Sequence, residues 1–107
     1  MRTDKNDKPM NYVRACMAFG NGDIGRGREI LFAVATRLEE ARRKHKWPAE
    51  AYGKYQALGV IGAEYQELVH AVEKESSARM YDEALDVIAT TVRLYGGEHK
   101  PKKDNDV

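Results

Sequence analysis

Cysteine is nearly absent from this 107-residue sequence, where Cys16 stands alone. An internal disulfide is thereby excluded, and no metal site built on paired cysteines is spelled out. Long apolar runs are missing too. None approaches the roughly 20 residues that a membrane-spanning helix needs, and the opening MRTDKNDKP is too polar for a secretory signal. An excess of charge of one sign is also lacking. Acids and bases nearly balance at a net charge of +1, which leaves no footprint for nucleic acid or an acidic membrane surface. The expectation is an intracellular, cytoplasmic protein with neither nucleic acid nor membrane as a partner.

What is present points to helices. Charged residues make up 33% of the chain and apolar residues 42%, a balance that suits a surface-rich helical domain better than a sheet. The length corresponds to one compact core. Residues 1–11 are polar, contain Pro9, and are expected to be poorly ordered. Tyr12–Phe19 is apolar but too short to separate a strand from a helical turn. The run from Gly20 to Gly27 formally contains G-x-G-x-x-G. A dinucleotide site would need a βαβ unit around it; here a helix is followed by another helix. The glycines therefore read as a flexible connection or mobile flap.

Three helices follow. The first is predicted from Arg28 to about Lys44, with Ile30, Val34, Leu38 and Ala41 in one stripe and Arg37, Glu39, Glu40 and Arg43 opposite. Its basic end, Arg42 to Lys46, suits a helix carboxyl terminus, where cations offset the dipole. The alternative is that one or two of these bases face a polyphosphate. Trp47-Pro48 marks a new start, and the second helix is predicted from about Ala49 to Lys74. The third, Ser77 to Tyr95, is apolar around most of its circumference and ends at Gly96-Gly97. The predicted organisation is an N-terminal segment and glycine-rich connection over 1–27, a helical domain over 28–95, and a charged, disordered tail over 96–107. So few helices do not bury one that is apolar nearly all round. The predicted fold is an all-α helical bundle completed by oligomerisation, as a homodimer or homotetramer.

Two acid pairs carry the chemistry. Glu64-x-x-Glu67 lies on the second predicted helix and Glu83-x-x-Asp86 on the third, and acids at i, i+3 share a helix face. If the chain folds back at Ser76–Ser77, Glu67 comes level with Asp86, and Glu64 and Glu83 lie within about a turn of them. Glu64 and Glu83 both fall against apolar positions, where an acid needs a partner. No lysine or arginine follows any of the four at i+4; the residues there are Leu68, Ala71, Val87 and Thr90. Four unneutralised carboxylates on buried faces read as a site for a hard divalent cation, magnesium or manganese before zinc.

The pattern Glu-x-x-Glu, a variable gap, then Glu-x-x-Asp on two helices of a small all-α protein resembles the MazG-like nucleoside triphosphate pyrophosphohydrolases. Leu58-Gly-Val-Ile-Gly-Ala-Glu64-Tyr-Gln-Glu67-Leu68 resembles the first motif helix of that family, and Tyr81-Asp-Glu83-Ala-Leu-Asp86-Val-Ile the second. The resemblance covers residues 28–95. Many members open the first motif with two adjacent acids, whereas Ala63 precedes Glu64 here. That departure bears on the number of metals held and on which group activates water. The resemblance implies Mg²⁺-dependent hydrolysis, with Mn²⁺ as the alternative ion, of a nucleoside triphosphate to monophosphate and pyrophosphate. Glu64, Glu67, Glu83 and Asp86 would be the catalytic metal ligands. Basic groups should hold the phosphates, Lys54 first and Arg93 second, either of which would otherwise be a rim salt-bridge residue. Trp47, with Tyr52 and Tyr55, is a candidate to stack a base, although aromatics at helical spacing also serve as core. The rival functions are a non-catalytic helical interaction module and a regulator that binds nucleotide without cleaving it.

Overall fold

Asn11 decides the ambiguous first segment. Its side chain accepts a hydrogen bond from the Arg14 backbone N–H at 2.9 Å, the N-cap arrangement, and Tyr12–Phe19 is a helix, α1. The computed structural model describes residues 9–101; the disorder expected for residues 1–8 and 102–107 lies outside the described residues. Among the described residues there are three further helices, α2 (Ile24–Lys44), α3 (Lys54–Lys74) and α4 (Ser77–Tyr95), and no strand. None of these helices is long and apolar enough to cross a membrane. The backbone divides into two compact units between Ala33 and Val34.

In the first unit the glycine run is a packed turn, not a flexible connection. Asn21 and Gly22 have φ of 53° and 95°, which reverses the chain in the left-handed region that glycine tolerates best. Asp23 then caps α2 by accepting from the Arg26 N–H at 3.1 Å. The helix therefore starts four residues earlier than Arg28 and carries Gly25 and Gly27 inside its first turns. Gly27 is there for close approach: a Cβ on it would lie 1.7 Å from the Cys16 carbonyl oxygen. Cys16 is fully buried at this contact.

The second unit holds the remainder of α2 with α3 and α4, and α3 packs along α4. Ser76 breaks the two apart as expected, its Oγ accepting from the Arg79 N–H at 3.3 Å. The start of α3 differs from expectation. The chain over 47–53 forms turns, and the helix begins at Lys54 after Gly53, whose φ is 91°. Proline at position 48 admits a helix start without imposing one. The Gly53 N–H instead donates to the His99 carbonyl at 3.1 Å. That bond corrects the prediction of a disordered tail from residue 96. Glu98 is ion-paired with Arg42 and Arg93, and His99 is buried.

Small side chains fill the buried positions: Ala51, Ala57 and Ala71 are fully covered and Ala89 nearly so. Larger ones on α3 and α4 are not. Leu58, Tyr65, Val72 and Tyr81 are each more than half exposed. Long side chains tie α2 to α4, and Arg93 is the chief one. It is only 3% exposed. It donates Nε to Glu98 Oε1 at 2.7 Å, Nη2 to the His45 carbonyl at 2.9 Å and Nη1 to the Ala41 carbonyl at 3.3 Å. Its guanidinium also lies 4.6 Å from the centroid of the Trp47 ring.

Candidate functional site

The hairpin of α3 and α4 brings three of the four expected acids together, and Glu67 is not level with Asp86 among them. One carboxylate oxygen from each of Glu64, Glu83 and Asp86 lies within 4.8 Å of the others. Glu83 and Asp86 are neighbours because i, i+3 residues share a face of α4; Glu64 joins them from α3. Glu67 is exposed and stands outside this triad of oxygens. It lines a separate depression of about 300 Å³ with Glu83 and Arg79. All four acids are still neighbours electrostatically. Burial pushes the Glu83 carboxyl up from its ordinary pKa; Arg79 opposes the shift, and Glu67 and Asp86 add to it. Glu64 is likewise raised, by burial first and then by Asp86, Glu67 and Glu83.

Glu83 is the most telling member. It is 5% exposed; its Oε2 pairs with Arg79, while its Oε1 is buried with no hydrogen-bond partner among the described residues. Such a group is destabilising unless something positive reaches it. An all-oxygen donor set containing a buried, unpartnered carboxylate oxygen fits a hard divalent cation.

Two arginines surround the cluster, and neither was foreseen. Arg79 pairs with Glu83 from four residues earlier in α4 and with Asp82 at 2.9 Å. Arg37 comes from α2 and forks across α4: its Nη1 donates to Asp86 Oδ1 at 2.7 Å and to the Asp82 carbonyl at 2.9 Å, while Nη2 pairs with the Asp82 carboxylate. Burial acts against the Arg37 charge, but Asp86 and Asp82 outweigh it and raise its pKa. The same arginine holds Asp82 below the usual carboxylate range. The expectation of unneutralised acids is therefore corrected. Looking only at i+4 missed Arg79, which sits at i−4 from Glu83. Arg37 sits opposite the apolar stripe of its helix, which reads as solvent-facing until the fold is known.

Beside the cluster opens a cavity of about 560 Å³, within the range that holds small molecules. Its wall includes Glu64 and Asp86, then Arg37, Lys44 and His45, then Trp47 and Arg93. Trp47 lines the cavity. Arg93 reaches it with its donors already committed to Glu98, Ala41 and His45, so its place is that of a wall-holding residue. Lys54 is elsewhere, at the amino end of α3, with its ammonium 5.4 Å from the Tyr55 ring centroid. Lys44, from the basic run 42–46, lines the cavity and forms no ion pair among the described residues. Carboxylates, cations and an aromatic ring around one cavity suit a cation together with an anionic ligand bearing a flat ring. Comparison with protein-family models, with curated proteins and with solved structures returns no match to this chain.

Proposed function

We propose that the protein is a MazG-like nucleoside triphosphate pyrophosphohydrolase, converting a nucleoside triphosphate and water to monophosphate and pyrophosphate. The observation that carries this reading is the buried, unpartnered Glu83 Oε1 in an oxygen triad with Glu64 and Asp86, beside a cavity with basic walls. Glu64, Glu83 and Asp86 would hold Mg²⁺, or Mn²⁺ in its place, with Glu67 completing the set from the outer side. A hard cation bound there supplies neutralising charge to the triphosphate and acidity to water. The chain's own residues do the remainder. Lys44 meets the phosphates, the Trp47 ring offers a surface for the base, and the wall held by Arg93 limits access of bulk water. Water adds at the α-phosphorus, the α–β anhydride bond breaks, and pyrophosphate departs with the electron pair. A carboxylate of the cluster receives the proton. The apolar side chains left uncovered on α3 and α4 favour a homodimer or homotetramer in which a second copy covers them.

A second reading, a nucleotide-binding regulator or interaction module without chemistry, draws on two observations. Arg37 and Arg79 already balance much of the acid charge, and Ala63 stands where many relatives of the proposed family carry another acid. The deciding experiment incubates the purified protein with deoxy- and ribonucleoside triphosphates, with and without Mg²⁺, and resolves mono- from diphosphate products. Monophosphate plus pyrophosphate, formed only with metal, is the expected result. Binding without turnover would select the regulator, and neither binding nor turnover the interaction module. Diphosphate plus phosphate would mean a different reaction.

A further inference from the structure

Arg37 does two things that conflict once the acid cluster holds a cation. It neutralises Asp86, which belongs to the oxygen triad, and it lines the adjoining cavity. A guanidinium and a divalent ion drawn to one carboxylate repel each other in a partly desolvated site, so filling the cluster weakens the Arg37–Asp86 pair. The surroundings leave the arginine free to move. The Arg37 side chain is 20% exposed and stands on a long stem. Its departure strands no charge on α4, because Asp82 keeps Arg79 Nη1 at 2.9 Å. Glu40, 3.5 Å from Arg37 Nε, also borders the cavity and keeps the stem near it. A planar fork of donors released beside a cavity pairs with two phosphate oxygens at once, which a point cation such as Lys44 does not.

We infer that Arg37 is an exchangeable counter-ion: it occupies Asp82 and Asp86 while the cluster is without metal, and turns into the cavity to bind the polyphosphate of the substrate when the cluster is filled. This rests on the metal reading above, and it adds a phosphate-binding residue and a coupling, with Arg37 competing against the cation and assisting the anion.

The test compares wild type with Arg37→Ala and Arg37→Lys by titration calorimetry, first with Mn²⁺ alone and then with inorganic triphosphate at saturating Mn²⁺. Arg37→Ala should bind Mn²⁺ about tenfold more tightly and triphosphate about tenfold more weakly, the scale of one lost charge-assisted pair in each direction. Arg37→Lys should move both affinities the same way by smaller factors, because it keeps the charge and loses the fork; it carries the test if the alanine variant does not fold. Opposite signs are what a merely structural arginine would not produce. Weakening of both affinities, or unchanged triphosphate binding, would overturn the inference while leaving the metal site standing. Wild-type protein that takes up no Mn²⁺ would remove the metal reading itself, and this inference with it.

Discussion

Replacing Arg93 by alanine should unfold this protein more readily than any other single change on the cavity wall. The side chain is 3% exposed and donates to three acceptors on two segments: Glu98 after α4, and the Ala41 and His45 carbonyls at the end of α2. A hydrogen bond to a charged group contributes about 1.5–3 kcal/mol, and a neutral acceptor about 1 kcal/mol. The stack on Trp47 adds about 1–2 kcal/mol when desolvated. These do not simply add, and part survives the substitution. Glu98 keeps Arg42 at 2.7 Å, and the Ala41 carbonyl keeps the His45 N–H at 2.9 Å. What is lost outright is the donor to His45, the face against Trp47 and the packing of a buried stem. The expected destabilisation is about 3–5 kcal/mol, the range for breaking a buried charged network.

For a domain of this size each kcal/mol lowers the melting temperature by about 4–8 °C, so Arg93→Ala should melt roughly 12–40 °C below wild type. Arg93→Lys should recover less than half, since an ammonium cannot reach three acceptors from one plane. Urea denaturation with an unchanged slope checks the free energy. A loss under about 1 kcal/mol, accompanied by weakened triphosphate binding, would refute the reasoning and return Arg93 to the role of a phosphate ligand.

Three other outcomes are expected. Gly27→Ala places a Cβ 1.7 Å from the Cys16 carbonyl oxygen; with backbone on both sides unable to give way, hydrogen exchange over residues 12–33 should lose its protection, and unchanged protection would count against the close contact. Burial opposes ionisation of Glu98, but hydrogen bonds from Arg42 and Arg93 hold its pKa below the ordinary value. Its stabilising contribution is therefore present above the unfolded pKa, about 4.3, and is lost as pH falls through the lower folded value. The stability gap between wild type and Glu98→Gln should close on acidification, and a gap independent of pH would sink that account. In chelator, Glu83→Gln and Asp86→Asn should move stability in opposite directions, by about 1 kcal/mol each. Glu83 binds its proton more tightly folded than unfolded, so stability falls as pH rises from the ordinary glutamate range toward its raised pKa, and glutamine removes that loss. Asp86→Asn instead strips Arg37 of a partner at 2.7 Å. Thermal melts of the two variants at neutral pH decide it.

The α3–α4 hairpin was legible because its signals are local. Ser76 as a cap, the apolar period and the glycines after Tyr95 place α4 over Ser77–Tyr95 without reference to any other part of the chain. The misplaced elements depend on tertiary contact. Gly25 and Gly27 look like helix breakers in isolation; inside α2, Gly27 is required because the Cys16 backbone presses against it. Pro48 looks like a first helical residue, yet the chain stays in turns until Gly53, whose N–H is held by a residue 46 positions later, His99. A charged stretch after Gly97 has the composition of a free tail, and it is Arg42 at the basic end of α2, together with Arg93, that gives Glu98 its place.

The acid cluster shows the same division. Convergence of Glu64, Glu83 and Asp86 follows from i, i+3 spacing and one reversal of the chain, both written locally. Neutralisation does not. Arg79 is a local partner, found by looking toward the amino terminus of the same helix, which is also the direction in which side chains lean. Arg37 lies 45 and 49 residues from the acids it serves, on a helix face that no period marks as buried. The consequence is physical as well as predictive. A partner four residues away on the same helix stays within reach of its acid however the helices shift, as Arg79 does of Glu83. A partner on a separate helix is held by its side chain alone, and it can be exchanged without disturbing α4. The distant arginine, invisible to spacing, is for that same reason the one suited to change partners.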